Sequence, residues 1–87
     1  MGREEIGSVF HYYPKPSVAA ITITAGGLKV GDTIMIEGAT SSLNIVVESM
    51  QMEHAQVQEA LPGQSIGIKV PERVRPGDKV YKIVPTP

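Results

Sequence analysis

Cysteine is absent from this chain of 87 residues, and no apolar run in it approaches the roughly 20 residues that a membrane-spanning helix needs. Without cysteine there is no disulfide framework, no cysteine-ligated zinc and no thiol nucleophile, and a cytosolic protein is favoured. The first five residues include acidic residues where a signal peptide would have an apolar run, and Ile6 stands where a myristoylation motif after Gly2 would have serine or threonine. We therefore expect a soluble, cytoplasmic protein without a membrane partner.

Motifs for catalysis are also missing. No stretch has the form G-x-x-x-x-G-K-[ST], so neither nucleotide hydrolysis nor a nucleotide partner is expected. The two histidines, His11 and His54, lie far apart and lack the spacing of paired metal ligands. Serines are common, but nothing in the sequence marks an oriented base for a serine nucleophile. The sequence thus predicts no catalytic residues, no metal and no cofactor; a catalytic role for Glu53 and His54 is the alternative, which measurable turnover would establish.

The balance of residue types is that of one small folded domain. Hydrophobic residues make up 41% of the chain and charged residues 20%, so disorder is not expected. The sequence predicts a flexible N-terminus over residues 1–5, a single domain over residues 6–84 and a C-terminal tail over residues 85–87. The net charge is −1, but residues 31–60 carry five acidic and no basic residues, whereas residues 61–87 carry five basic and two acidic ones. This asymmetry predicts an acidic and a basic face; the alternative is an ordinary solvated surface.

Apolar residues alternate with polar ones instead of recurring at helical spacing. Ile21 and Ile23, for example, flank Thr22, and a period of two places such side chains on one face of a strand. The stretch from Glu53 to Leu61 contains helix-favouring residues but is too short for a stable helix and ends at a proline, so we interpret it as extended or loop. The pattern predicts six strands, near residues 7–13, 17–25, 32–37, 44–53, 65–70 and 79–84.

One local motif occurs three times. A glycine, a polar residue, a spacer and then Ile or Val follow one another in Gly31–Ile34, Gly63–Ile66 and Gly77–Val80. Glycine adopts positive φ without steric cost, and aspartate bonds its own local backbone, so each motif predicts a turn that starts a strand. Short strands separated by such turns predict an all-β fold, namely a small closed antiparallel Greek-key barrel of about six strands.

Three separated stretches resemble domain 2 of translational GTPases such as elongation factor Tu and initiation factor two. They are residues 27–38, which read Gly-Leu-Lys-Val-Gly-Asp and then alternating apolar residues, residues 47–52 with 60–68, and residues 74–81. The resemblance covers the chain from about Ile6 to Val84 and implies a barrel of the translation-protein (elongation factor domain 2) type. For a domain that stands alone without a GTPase, it also implies a translation-associated, non-catalytic binding module that contacts transfer RNA, ribosomal RNA or a ribosomal protein.

In that family the barrel helps to hold the aminoacyl end of transfer RNA. The resemblance places Phe10 at the position of the family's pocket phenylalanine, and Ser8 at that of an aspartate two residues earlier. Gln51 takes the place of a glutamate near the terminal adenine, and Ser65 that of the pocket asparagine. The resemblance therefore implies a binding pocket that includes Phe10, Gln51 and Ser65, with three of the four family residue types changed.

The residues themselves also indicate a binding surface at the end of the first predicted strand. His11, Tyr12, Tyr13 and Lys15 form an aromatic and basic cluster there, in which tyrosine can stack on bases and lysine can reach phosphate. In the alternative interpretation, Phe10 and Tyr12 fill the barrel while Tyr13 caps its rim.

A second candidate surface is basic. Its side chains could contact an RNA backbone, weakly and with a strong dependence on salt. They are Arg73, Arg75, Lys79 and Lys82. Met50 and Met52, by contrast, are interpreted as core-filling residues.

Two functional hypotheses follow. The first is the translation-associated module, with transfer RNA or the ribosome as partner. The second is a protein–protein adaptor or accessory β-barrel with no nucleic-acid role, because fold alone does not fix function and such domains also occur fused to unrelated enzymes, including collagenase-like peptidases. A salt titration of RNA binding separates the two.

Overall fold

The computed structural model describes residues 2–15, 17–39, 42–53 and 55–84, and these residues form strands, turns and loops without a helix. The all-β prediction is therefore confirmed. The strands are β1 Gly2–Tyr13, β2 Val18–Ile23, β3 Leu28–Lys29, β4 Thr33–Glu37, β5 Ser42–Val46, β6 Met50–Met52, β7 Ala55–Val57, β8 Glu59–Ala60, β9 Ser65–Lys69 and β10 Lys79–Val84.

Two predicted strand boundaries are corrected. The first strand begins at Gly2, since Gly2–Glu5 pair with the end of β10. These four residues are all exposed, so the sequence has no alternation of apolar and polar residues there that would indicate a strand. The single strand expected over residues 44–53 is two strands, β5 and β6, separated by residues 47–49. Beyond His54, which lies outside the described residues, the stretch up to Leu61 is extended as predicted, because β7 and β8 lie in it. Residues 85–87, the expected tail, also lie outside the described residues.

The strands form one large antiparallel sheet and one small one. The large sheet has the order β5-β4-β10-β1-β2-β9-β6-β7, and β3 pairs with β8 in a separate two-stranded sheet. Among the described residues, no pairing joins the outer strands β5 and β7, so the structure shows an antiparallel all-β fold without a ladder that closes it.

The core consists of the inward-facing set that the alternation predicts. Ile21 and Ile23 are fully buried on either side of the partly exposed Thr22, and Met50 is buried in the same cluster with Met52 packed against it. The interpretation of the two methionines as core-filling is confirmed. The other buried side chains of this cluster are Ile6, Val9, Ala19, Leu28, Ile34, Ile36, Leu43, Val47, Ala60, Ile66, Ile68, Val70, Val74 and Val80.

The three repeated motifs are three turns of the same construction. In each, the glycine has a φ between 92° and 100° and follows valine or proline, as in a type II turn. The residue after the glycine donates its backbone N–H to the carbonyl of the residue three positions earlier, at 3.1 Å. Its side-chain oxygen accepts a hydrogen bond from the backbone N–H of that earlier residue. These side-chain bonds, of 2.8 to 3.0 Å, run from Lys29 N–H to Asp32, from Leu61 N–H to Gln64 and from Arg75 N–H to Asp78. The turn prediction is confirmed.

Each turn also holds one buried residue by a pair of backbone hydrogen bonds. The turn glycine donates its N–H to the carbonyl of the buried residue. The N–H of the buried residue in turn donates to the carbonyl of the residue that follows the glycine, and these bonds are 2.7 to 2.9 Å long. The turns at Gly31, Gly63 and Gly77 hold Val47, Ile23 and Val9, respectively. This arrangement, which we call a turn clamp, fixes the turns to the core instead of leaving them as free loops.

A valine in place of Gly31 is expected to lower the free energy of unfolding by about 1–2 kcal/mol, because a β-branched side chain is strained at positive φ. Gly31 has a φ of 100°, and an added Cβ would meet no atom of a non-neighbouring residue within 4 Å, so the expected loss comes from backbone strain and not from a clash. Thermal unfolding measures the change. An unchanged melting temperature would show that position 31 is not left-handed in solution.

Candidate functional site

A β-bulge in β1 determines which of its aromatic side chains face outward. Val9 pairs with Ile21 and His11 pairs with Ala20, so Phe10 is an extra residue in the ladder. In regular alternation the residues after Val9 would face inward at positions 11 and 13. The bulge reverses this phase, so that His11 and Tyr13 are exposed and Tyr12 packs against the core.

The alternative interpretation, in which Phe10 and Tyr12 fill the interior, is wrong for Phe10, whereas Tyr12 is partly buried and packs against the core. Phe10 is 50% exposed and Tyr13 is 48% exposed, which is unusual for the largest apolar side chains of so small a domain. The ring of Tyr13 is packed edge-on against the ring of His11, with the centroids 4.4 Å apart. The outer face of β1 thus presents aromatic rings to solvent.

Phe10 and Tyr13 form one wall of an open groove of about 460 Å³, which we call the aromatic groove. Its floor is low because Ala20 of β2 and Gly67 of β9 are paired there and contribute almost no side chain. Gln51 of β6 lies opposite the aromatic wall. The groove is lined by Phe10, Tyr13, Lys15, Val18, Ala20, Gln51, Glu53, Ile66 and Gly67.

A second open cavity, of about 510 Å³, lies where the third turn meets β1, and we call it the arginine cleft. The clamp of Gly77 and Asp78 on Val9 brings this part of the chain next to the strand. The Arg73 guanidinium lies over the Tyr12 ring, with the Arg73 Cζ atom 5.9 Å from the ring centroid. The cleft is lined by His11, Tyr12, Arg73, Val74, Arg75 and Pro76.

The structure divides the binding residues predicted from sequence between these two places. Phe10, Tyr13, Lys15 and Gln51 lie in the aromatic groove, and His11, Tyr12, Arg73 and Arg75 lie in the arginine cleft. Ser65 and Lys79 line neither: Ser65 is exposed at the start of β9, and the Lys79 ammonium is 3.8 Å from the Glu5 carboxylate.

Sequence reasoning missed the groove's floor, which includes Val18, Ala20 and Gly67. The signal that could have found them is Gly67, a glycine in the outward phase between two buried isoleucines, where it leaves room for a ligand.

Ion pairs interrupt the acidic stretch of residues 31–60, and its separation from a basic face stays a prediction. Acidic residues of the 31–60 stretch pair with basic residues from several other strands and turns. The pairs are Arg3 with Glu37 at 3.5 Å, Lys29 with Glu59 at 3.5 Å and Lys82 with Asp32 at 3.4 Å. The predicted basic arm is thereby divided, and only its two arginines stay together.

Neither a metal centre nor a membrane-spanning helix is present in the described part of the chain. No three histidine, aspartate or glutamate side chains come together there as metal ligands. No helix among those residues has the length and apolar character needed to cross a membrane. His54, the partner of Glu53 in the catalytic alternative, lies outside the described residues.

Similar proteins are found among proteases. The chain is 45% identical over 83 residues to an uncharacterized protease of Methanocaldococcus jannaschii, which covers 94% of this chain and 20% of that protein. It is 40% identical over 78 residues to a collagenase of Porphyromonas gingivalis, covering 88% of this chain and 22% of the collagenase. The chain therefore spans about one fifth of the length of these curated relatives.

A solved structure has the same fold. The C-terminal domain of a Geobacillus thermoleovorans protein, named as a U32 peptidase, superimposes with a TM-score of 0.85 over 91% of this chain and 99% of that domain. At 23% sequence identity the similarity concerns the fold alone.

These relatives correct the leading hypothesis from sequence. A stand-alone translation factor that binds transfer RNA, ribosomal RNA or the ribosome is contradicted, because the relatives that cover nearly the whole chain are a protease and a collagenase. The resemblance to translation proteins held for the fold and failed for the function, as is common for folds that serve many functions. The adaptor or accessory-domain alternative fits better.

The fold itself agrees with the resemblance seen in the sequence. Residues 17–71, more than half of the chain, match the family model of elongation factor Tu domain 2. The matched segment runs from the start of β2 to the residues after β9, and so includes the groove floor and two of the three turn clamps. This chain belongs to the elongation factor Tu domain 2 family.

Proposed function

We propose that this chain is a non-catalytic accessory domain of a peptidase-type protein and that it binds a polypeptide segment of a protein partner in the aromatic groove. The observation that carries the proposal is the pair of half-exposed rings, Phe10 and Tyr13, beside a floor of Ala20 and Gly67. Exposed apolar surface with a polar rim is typical of protein-interaction sites, and aromatic side chains supply much of the binding energy there.

The charged groups of the groove support binding rather than acid–base chemistry. Lys15 and Glu53 carry opposite charges, and no ion pair involves either of them in the described part of the chain. Single charges of opposite sign orient a bound chain, whereas nucleophilic catalysis needs a nucleophile and base within hydrogen-bond reach. The association with a peptidase rests on the names of the relatives.

We also propose that the large sheet curves into the closed Greek-key barrel expected from the sequence. The support is the β3–β8 pair, extended by a hydrogen bond of 3.0 Å from Val30 N–H to the Gln58 carbonyl. Because β3 leads into β4 and β8 follows β7, this pair joins the two sides of the sheet whose outer strands are otherwise unpaired. A closed sheet protects such edges from aggregation.

Serine in place of both Phe10 and Tyr13 is expected to weaken binding of a neutral aromatic peptide about tenfold or more, because the two anchors of the groove are lost. The probe is an acetylated and amidated dodecapeptide with two phenylalanines followed by Gln-Ala-Gln, labelled with fluorescein, and fluorescence anisotropy measures its Kd.

The matched control is Leu61→Ser. Leu61 is 52% exposed, as much as the two anchors, but lies outside the aromatic groove. Binding that survives the loss of both rings, or that falls equally with Leu61→Ser, would contradict the proposed use of the groove.

A further inference from the structure

The arginine cleft holds positive charge that the chain does not neutralise. Four other basic residues of the described chain, Arg3, Lys29, Lys79 and Lys82, each have a carboxylate within 4 Å. The guanidinium groups of Arg73 and Arg75 have none in that part of the chain, and the same is true of the ammonium groups of Lys15 and Lys69.

Arg73 and Arg75 both line the cleft. Both are exposed, and Val74 between them is buried. The position of Arg75 is fixed further, since its N–H donates to the Asp78 carboxylate at 3.0 Å and its carbonyl accepts the Asp78 N–H at 3.1 Å. Arg73 lies over Tyr12, a contact that limits its rotamers and leaves its N–H donors free.

Two exposed arginines separated by one residue match a ligand with two acidic groups at similar spacing. Residues i and i+2 of an extended peptide lie on one side of it, roughly 6–7 Å apart. The planar guanidinium donates two parallel hydrogen bonds to a carboxylate, which makes arginine suited to this ligand. The His11 ring on the β1 side of the cleft adds a further polar group.

We propose that the arginine cleft binds the acidic side chains of a Glu-x-Glu or similar segment in an extended polypeptide. This inference deepens the proposed function, because β1 lines both places: Phe10 and Tyr13 face the groove, and His11 and Tyr12 face the cleft. One bound chain then places apolar side chains in the groove and carboxylates in the cleft. The domain thus selects polypeptide segments in which aromatic and acidic residues are neighbours.

The test compares two probe peptides that differ only in charge. The first is the neutral dodecapeptide used for the groove, and the second carries Glu-Ala-Glu in place of Gln-Ala-Gln. At low salt the acidic peptide is expected to bind roughly tenfold more tightly, and this preference should shrink as salt is raised. Arg73→Gln combined with Arg75→Gln should abolish the preference, so that the acidic and the neutral peptide bind this variant with equal affinity.

The matched control is Lys29→Gln combined with Lys79→Gln, which removes the same amount of positive charge from residues that are already paired and lie outside the cleft. It should keep the preference for the acidic peptide within about twofold. Equal loss in both double variants would reduce the effect to general charge and overturn the proposal. Thermal unfolding of each variant confirms that it is folded.

Three further outcomes would overturn the assignment of the cleft to acidic side chains. Equal binding of the acidic and neutral peptides by the unaltered domain is the first. The second is tight binding of the neutral peptide with a free C-terminus that disappears in the double arginine variant, which would show that the cleft binds a terminal carboxylate. Preferential binding of an oligouridylate of equal charge, lost in the same way, would point to phosphate.

The groove and the cleft can fail separately in this design. If the groove proposal is wrong and the cleft proposal is right, the preference for the acidic peptide persists, and Phe10→Ser combined with Tyr13→Ser changes the affinity for neither peptide. If the cleft proposal is wrong and the groove proposal right, both peptides bind equally and both lose affinity in that variant.

Discussion

Alanine in place of Ile21 is expected to lower the free energy of unfolding by about 2–5 kcal/mol. Ile21 is fully buried in β2, between β1 and β9, and its partners in the two ladders, Val9 and Ile66, are buried as well. The substitution removes three carbon atoms from the centre of the core, and strand pairing on both sides keeps the surroundings from closing around the cavity. Urea denaturation should show a lower midpoint with an unchanged slope.

Ile21→Val is the graded control, since it removes one carbon and should cost about 0.5–1.5 kcal/mol. A loss of less than about 1 kcal/mol for the alanine variant would mean that the site collapses freely and that β2 does not lie at the centre of the packed interior.

The parts of the fold that could be predicted from the sequence are those that local chemistry determines. Alternation around Thr22 places Ile21 and Ile23 on one face regardless of the neighbouring strands. The turns follow from glycine at Gly31, with a hydrogen-bonding side chain directly after it, and the same holds at the other two positions. The resemblance to elongation factor Tu domain 2 rested on the segments around these turns, which explains why it identified the fold.

What could not be predicted depends on contacts between distant segments. The bulge at Phe10 is visible only in the register of β1 against β2. It reverses which side chains face inward and which face outward among the aromatic residues that follow it in β1. The ion pair of Lys82 with Asp32 joins residues 50 positions apart, a contact that the charge runs in the sequence do not reveal. The prediction of function failed for a different reason, because one fold serves many functions and does not determine which of them a chain performs.

The turn clamps connect the fold to the candidate site. The clamp on Val9 lies directly before the bulge, so the bond from Gly77 N–H to the Val9 carbonyl fixes the strand where Phe10 leaves the ladder. Arg75 belongs to the same turn. A single structural element therefore sets the position of the aromatic groove relative to the arginine cleft, which places the stability of this turn at the centre of the proposed recognition.

Alanine in place of Asp78 is expected to lower the free energy of unfolding by about 1–3 kcal/mol, the range for leaving a buried hydrogen-bonding group without its partner. Asp78 is only 7% exposed, and its carboxylate accepts the Arg75 N–H at 3.0 Å. The carboxyl group also packs against Gly38, where an added Cβ would lie 2.6 Å from the Asp78 Cγ atom, so its removal leaves a gap as well. Thermal or urea unfolding measures the loss.

Asp32 provides the control because it occupies the same position in the first turn and makes the same bond, from Lys29 N–H at 2.9 Å, together with a partly exposed ion pair to Lys82 at 3.4 Å. Water can replace that acceptor, so Asp32→Ala should cost about 0.5–1.5 kcal/mol, and Asp78→Asn, which keeps an acceptor oxygen, should recover part of the loss. Because the Asp78 turn holds Val9 beside the bulge, Asp78→Ala should also weaken binding of the acidic peptide, whereas Asp32→Ala should not. Equal destabilisation by Asp32→Ala and Asp78→Ala would show that burial does not make the Asp78 turn more important for stability. An unchanged affinity of Asp78→Ala for the acidic peptide would show that this turn does not contribute to binding.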